Sequence, residues 1–211
     1  MKKFIYICEL LLFIVFLVLI LFTKSKLAIL LGIPIFILVY LFSRRINIKN
    51  FALFIFIFAF LIRLFSILIL NVEIADDFKT MLTASKSLID GNLDFTNTFY
   101  FKTFSYQIGH VLYQAILLKV INSVLFLKII NSIITAFIAV FIYLISKNIY
   151  EEKIARVISL SYLFYLYPLY LNSVLTNQHL PALICLIVIY LLITKQINTK
   201  LLILIGLLLG T

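Results

Sequence analysis

The stretch that decides the architecture runs from Phe51 to Phe78 and reads FALFIFIFAFLIRLFSILILNVEIADDF. From Phe51 to Leu70 the only charged residue is Arg63. About 20 apolar residues wound as a helix match the roughly 30 Å hydrocarbon core of a bilayer. Lipid offers the backbone no hydrogen-bonding partner, so such a run must be helical. The chain then turns acidic at once, with Glu73, Asp76 and Asp77. A membrane helix that opens directly onto a carboxylate pair is the element around which the rest is arranged.

Working outward, further apolar runs lie at about 4–22, 27–43, 124–146, 154–171, 180–194 and from 201 onward. The expectation is an all-α polytopic membrane protein with about seven transmembrane helices. Composition agrees: 65% of the 211 residues are hydrophobic and 12% charged, and mean hydropathy is +1.23. Soluble domains are about half apolar and a quarter charged, so a soluble enzyme, a disordered tail and a disulfide-stapled secreted domain are excluded. The formal charge of +10 comes from 18 basic residues scattered over short connections. That is the pattern of membrane proteins contacting anionic headgroups, with no basic stripe for nucleic acid. Cys8 and Cys185 sit inside apolar runs and read as small hydrophobes, without disulfide or metal. Lys2 and Lys3 followed by Phe4 to Phe22 imitate a signal peptide, but the run is too long and no small-residue cleavage site follows it.

Lys and Arg in short loops set the orientation. Lys2 and Lys3, then Arg44, Arg45 and Lys49, then Lys147, Lys153 and Arg156, and finally Lys195 and Lys200 mark cytoplasmic connections. Lys24 and Lys26 alone disagree. The loop 72–105 then falls outside, and it is the only long polar segment. This alternation requires that 106–121 lie along the surface without crossing. Gln107, His110 and Gln114 form one polar stripe on that otherwise apolar helix, the character of an interfacial helix. A second interfacial helix is expected at Phe78 to Asp90. Phe78, Met81, Leu82, Leu88 and Ile89 line its apolar face, Lys79, Thr83, Lys86 and Asp90 its polar face, and Gly91 stops it. The domain reading is two added spans in 1–43 and a membrane core in 51–211. The last run, Leu201 to Thr211, is too short to span, so the chain is expected to be part of a longer protein, with a re-entrant helix as the alternative.

Several residues carry chemistry in this reading. A surface carboxylate within reach of a hydroxyl is a general base, and Asp76 and Asp77 are the obvious pair. Both also precede a helix, where Asp is a favoured cap. An intramembrane Arg is a functional candidate, and Arg63 either faces a ligand or snorkels to the headgroups. His110 and His179, with Gln178 beside the latter, can contact a substrate; for His179 a helix cap or headgroup contact is the plainer reading. The histidines lie on separate elements, which is no metal-ligand spacing. Tyr162, Tyr165, Tyr167 and Tyr170 around Pro168 form an interfacial aromatic belt. Glu9 pairs with Lys2, Lys3 or water. No phosphate-binding glycine loop, nucleophile elbow or zinc pattern is present.

The order of these features resembles the GT-C glycosyltransferases. A membrane helix with Arg63 leads into external Asp76-Asp77. Gly91 follows, then the aromatic-rich surface helix Tyr106 to Ile121. Paired spans come next, with a basic turn from Lys147 to Arg156, and then Thr176-Asn-Gln-His-Leu-Pro-Ala182. The nearest branch in this resemblance is that of the protein O-mannosyltransferases, aminoarabinose transferases and lipopolysaccharide sugar transferases, over about Phe51 to Thr194. It implies a polyprenyl-phosphate sugar as donor, an extracytoplasmic acceptor in the cell envelope, and inversion at the anomeric carbon. Asp76 would be the base, Asp77 its support, and Arg63 a contact to the lipid-linked phosphate. Relatives commonly place an acidic residue near Gln178 and His179, and this sequence has none. No cofactor is expected beyond the lipid-phosphate donor. Rival readings are a transporter or lipid-linked oligosaccharide flippase fragment, a polysaccharide polymerase or ligase, and a non-catalytic membrane subunit. A ligase would be expected to use Arg or His in the external loop, and 72–105 has neither.

Overall fold

The computed structural model describes residues 48–69, 72–163 and 165–210, all within one unit, Ile48–Thr211. The spans expected at 4–22 and 27–43, with Glu9 and Cys8, lie outside the described residues. What is described is helical, with no strand among these residues.

Helix α1 (Phe51–Ile69) buries Phe51, Ile55, Ala59, Arg63, Ser66 and Ile67, and exposes Leu53, Ile57, Leu61, Phe65 and Leu68. Both sets recur mostly every four residues, so one face packs and the opposite face is free for lipid. Arg63 stands on the packed face. The hub of the bundle is α5 (Val124–Ile149), against which α1, α6 (Glu152–Leu163) and α8 (His179–Thr194) all pack. Ring contacts of Phe51 with Tyr143 and of Phe56 with Phe137 set α1 antiparallel to α5. Small residues let the helices approach closely: Ala136 and Ala139 on α5, and Ala155 and Ser159 on α6, are all buried. Ser159 Oγ donates to Ala139 O at 2.9 Å across that contact. Helix α9 (Thr199–Leu209) packs on α8 through Val188, Leu201 and Ile205.

By length and composition, α1 with 19 residues and α5 with 26 can each cross a membrane. A third crossing exists if α6 and α7 (Leu166–Ser173) form one path bent by 48°. Where one span is expected at 154–171, the described residues form two helices, either a broken span or a re-entrant loop, and Pro168, which lacks an N–H and cannot continue a helical ladder, stands in the first turn of the second helix. Helix α8 has 16 residues, about 24 Å, and α9 has 11. Both are shorter than the hydrocarbon core, so the described residues contain two membrane-length helices, or three counting the bent pair.

The polar segment after α1 is ordered. It contains α2 (Asp76–Ile89), a 3-10 turn (Asp94–Asn97) and α3 (Phe99–Thr103), followed by α4 (Gln107–Val120). The expected two-faced pattern of α2 holds: Met81 and Leu82 are buried, while Lys79, Thr83, Lys86 and Asp90 are exposed. Gly91, at φ +77°, ends it in a left-handed turn. The Asn92 N–H reaches Ser87 O at 2.9 Å and the Gly91 N–H reaches Leu88 O at 3.2 Å, the paired bonds that close a helix at a glycine.

Helices α2 and α4 pack against each other around Met81, Ala84, Phe101 and Val111. The polar stripe of α4 is arranged differently from the sequence expectation. Gln114 is only 2% exposed and faces α2, where Ser85 Oγ lies 3.1 Å from Gln114 Oε1, 3.1 Å from Val111 O and 2.8 Å from Met81 O. A buried amide is tolerable because a buried hydroxyl across the interface meets it. Leu112, Ile116 and Val120 therefore stand on the outside of α4. A second cluster, Leu82, Leu118, Leu127 and Leu175, ties this pair of helices to the start of α5 and to the turn after α7.

Candidate functional site

Three of the helices converge on Arg63. Its side chain is 0% exposed, and Nη1 donates to Ala59 O at 3.2 Å. Its guanidinium carbon lies 5.1 Å from the centre of the Tyr162 ring of α6. Nε and Nη2 are buried and have no hydrogen-bond partner among the described residues. His179, the first residue of α8, is 5% exposed, and neither ring nitrogen has a hydrogen-bond partner among the described residues. Burial first, and to a smaller extent the Arg63 charge, disfavour the protonated form of this imidazole. The snorkelling alternative for Arg63 fails on burial and register, and Tyr162 leaves the expected aromatic belt to sit against Arg63. Tyr165, Tyr167 and Tyr170 remain exposed, as a belt requires.

Arg63 lies six residues before the end of α1, about 9 Å along the helix axis. Past that end, Asp76 and Asp77 open α2 with both side chains exposed. Both carboxylates stand in the first turn, where they complement the helix dipole as expected, but neither caps the helix. The cap position is Ala75, with no side-chain cap bond, and Asp76 adopts φ +48°. Asp is among the few residues that tolerate this left-handed conformation, which costs about 1–2 kcal/mol and is concentrated at functional or tightly determined positions. The backbone is partly held by Thr80, whose Oγ1 donates to Asp76 O at 3.2 Å. Neither carboxylate makes a hydrogen bond or ion pair among the described residues.

Tyr100 on α3 is a neighbour that sequence spacing did not single out. Its hydroxyl is buried without a hydrogen-bond partner. Burial first, and then the nearby Asp77 and Tyr106, push its pKa up. It is therefore a neutral O–H close to the carboxylate pair.

The remaining candidates are distributed around this region. His110 on α4 is half-buried beside the Tyr113 ring, 5.8 Å between centroids, and its Nε2 has no partner. Burial lowers its pKa to about 4, so it is neutral at neutral pH. The structure records no bond from His110 to Arg63 or His179. Gln178 is exposed, and its backbone N–H donates to Thr176 Oγ1 at 3.2 Å. Gln107 accepts from Asn177 Nδ2 at 2.6 Å, joining α4 to the turn that delivers His179. Arg63 and His179 are thus both buried in the helical bundle, Asp76 and Asp77 stand exposed at the start of α2, and His110 lies on α4 with no recorded bond to either of the buried pair.

A buried polar group inside the bundle lies below the turn that carries His179. Asn172 Nδ2 donates to Ser132 Oγ at 2.9 Å, and Asn131 Nδ2 to Thr176 O at 3.4 Å. Asn172 Oδ1 has no partner. Leu175, buried at φ +61°, makes the bend that leads into this turn. The signal was present in the sequence as two Asn side chains within apolar runs.

At the opposite end of α5, Glu152 gathers Arg156 Nη2 at 2.6 Å, Lys147 Nζ at 3.4 Å and the Tyr143 hydroxyl at 3.2 Å. This group fixes the α5–α6 turn. Among the described residues no set of three metal-ligating side chains comes together.

No protein-family model, no curated protein and no solved structure matches this chain. The class that fold and composition define is a helical protein with membrane-length apolar helices.

Proposed function

We propose that this chain is a membrane glycosyltransferase that takes its sugar from a polyprenyl-phosphate donor. The observation that supports it most is Arg63: a fully buried guanidinium stacked on Tyr162, with two nitrogens that have no hydrogen-bond partner among the described residues, six residues before the end of the helix that leads to an exposed pair of carboxylates. Buried donors without acceptors are a standing free-energy cost of about 1–3 kcal/mol each, which an anionic ligand would relieve. A phosphate suits a guanidinium because two N–H groups can bond two of its oxygens.

In this reading the lipid phosphate is bound at Arg63 and the acceptor lies near Asp76. The Asp76 carboxylate takes the proton of an acceptor hydroxyl as the oxygen attacks the anomeric carbon. The bond from that carbon to the phosphate oxygen breaks with inversion, and polyprenyl phosphate leaves with the bonding pair. Asp77, beside the neutral Tyr100 hydroxyl, positions the acceptor. The Lys and Arg counts of the short connections support an extracytoplasmic loop and a cytoplasmic N-terminus.

A transporter or flippase of lipid-linked oligosaccharide is the second reading. The break between α6 and α7 and the buried Asn131–Asn172 group favour it, because transporters break helices around polar sites. Membranes containing the full-length gene product, fed radiolabelled polyprenyl-phosphate sugars, separate the two. Label appearing in a lipid, glycan or protein acceptor supports transfer. Label that crosses the bilayer without changing carrier supports transport.

A further inference from the structure

The segment between α2 and α4 carries a run of rings in series. Phe95 meets Phe101 at 5.2 Å between centroids, Phe101 meets Tyr100 at 5.0 Å, Tyr100 meets Phe104 at 5.3 Å, and Phe104 meets Tyr106 at 6.2 Å. The run starts in the core, where Phe101 is buried with Met81, Ala84 and Val111. It ends in the open, with Phe104 39% and Tyr106 73% exposed. Rings packed in series on a buried anchor have little freedom left to lose when a ligand arrives, so their exposed end is a preformed contact surface. The carboxylate pair stands on the same core. Phe78, next to Asp77 in the chain, packs on the cluster of Met81 and Val111, and so does Tyr100. After burial, the Asp77 charge is what raises the Tyr100 pKa most.

We propose that the surface formed by Tyr100, Phe104 and Tyr106 is a carbohydrate subsite, in which a sugar ring of the acceptor stacks on the exposed rings while its hydroxyls face Asp76 and Asp77. One face of a pyranose is a sheet of C–H groups that lies readily on the negative face of an aromatic ring, and its rim is hydroxyl. An ionised carboxylate only accepts hydrogen bonds, so exposed carboxylates without partners beside an aromatic surface suit that rim. The other ready occupant of exposed rings in a membrane protein is the headgroup layer. Charge argues against it. The segment 72–105 carries Glu73, Asp76, Asp77, Asp90 and Asp94 against Lys79, Lys86 and Lys102, and an anionic membrane surface repels that acidic excess. That the sugar is the acceptor rests on the transferase reading; the contact itself does not.

The sequence contains no Trp, so Tyr106→Trp puts a single reporter on the surface. Phe99→Trp is the control, because Phe99 is 84% exposed and makes no ring contact among the described residues. Full chains in a sugar-free detergent are titrated with cellohexaose, a flat glucan with C–H faces. Emission at 106 should shift to the blue and saturate, and emission at 99 should not change. Phe104→Ala should weaken the response at 106 about tenfold. Saturation-transfer NMR of cellohexaose on the unsubstituted chain reads the same contact with no variant. No response at 106 overturns the proposal, and so does an equal response at 99; where Tyr106→Trp fails to fold, absence of the NMR contact overturns it. In vesicles of phosphatidylcholine and phosphatidylglycerol, quenching at 106 by lipid brominated on the acyl chain overturns it in favour of the membrane. Sugar binding without transfer from a polyprenyl-phosphate sugar leaves the subsite standing and removes the transferase, and transfer without sugar binding does the reverse.

Discussion

Replacing Arg63 by Met tests whether the guanidinium is there to stabilise the bundle or to meet a ligand. The side chain is buried on the packed face of α1, with Nε and Nη2 unpaired. Two unpaired buried donors cost about 2–6 kcal/mol together. Against this, the substitution removes the bond to Ala59 O, worth about 1.5–3 kcal/mol for a charged donor. It also removes the stacking of Arg63 on Tyr162, about 0.5–2 kcal/mol. Central values of about 4 and about 3.5 kcal/mol nearly cancel, and the Met stem keeps much of the packing. The expected change is within about 1 kcal/mol, or about 2–4 °C in Tm for a domain of this size. The assay is thermal melting in mild detergent, followed by circular dichroism and checked by gel filtration. An Arg with a buried partner would instead lose about 3–5 kcal/mol on removal. A fall in Tm of about 10 °C or more would therefore refute the reasoning and make Arg63 a structural residue.

Two further outcomes follow from local geometry. His110 has a folded pKa of about 4 against about 6.5 in an unfolded chain, so the unfolded state binds more protons between those values. Its stabilising contribution is complete above about pH 6.5 and is lost as pH falls towards 4, by at most about 3 kcal/mol for this half-buried ring. Melting curves across that window should show the loss in wild type and a shallower slope in His110→Gln; equal slopes would contradict it. Gly91→Ala places a Cβ where no atom lies within 4 Å but at φ +77°, so only backbone strain is added. It should lower stability by about 1 kcal/mol, and an unchanged Tm would show that the turn rearranges freely.

The membrane-length helices and α2 were legible because each is defined by its own periodicity. Twenty apolar residues around Arg63, or Met81 and Leu82 against Lys79 and Lys86, need no partner to be understood. The failures share a cause: each depended on a contact distant in sequence. Gln114 reads as a solvent residue until Ser85, 29 positions earlier, is found facing it. Arg63 reads equally well as facing a ligand or snorkelling until Tyr162 of α6 is found against it and its side chain is found buried. The exceptions are local: Asp76 reads as a cap because caps are common before helices, and the bend within 154–171 falls beside Pro168. Of the site residues, the burial of both Arg63 and His179 in the bundle was beyond any spacing argument, whereas each was recognisable singly as a polar group in apolar surroundings.

The most direct test of the account is the Asp76→Asn variant, compared with wild type at equal expression in membranes supplied with radiolabelled polyprenyl-phosphate sugar. Asn keeps the shape and the left-handed backbone but cannot accept the acceptor's proton. The account predicts that transfer falls by about 10²-fold or more while the protein stays folded. Transfer at the wild-type rate would contradict it and remove Asp76 from the chemistry.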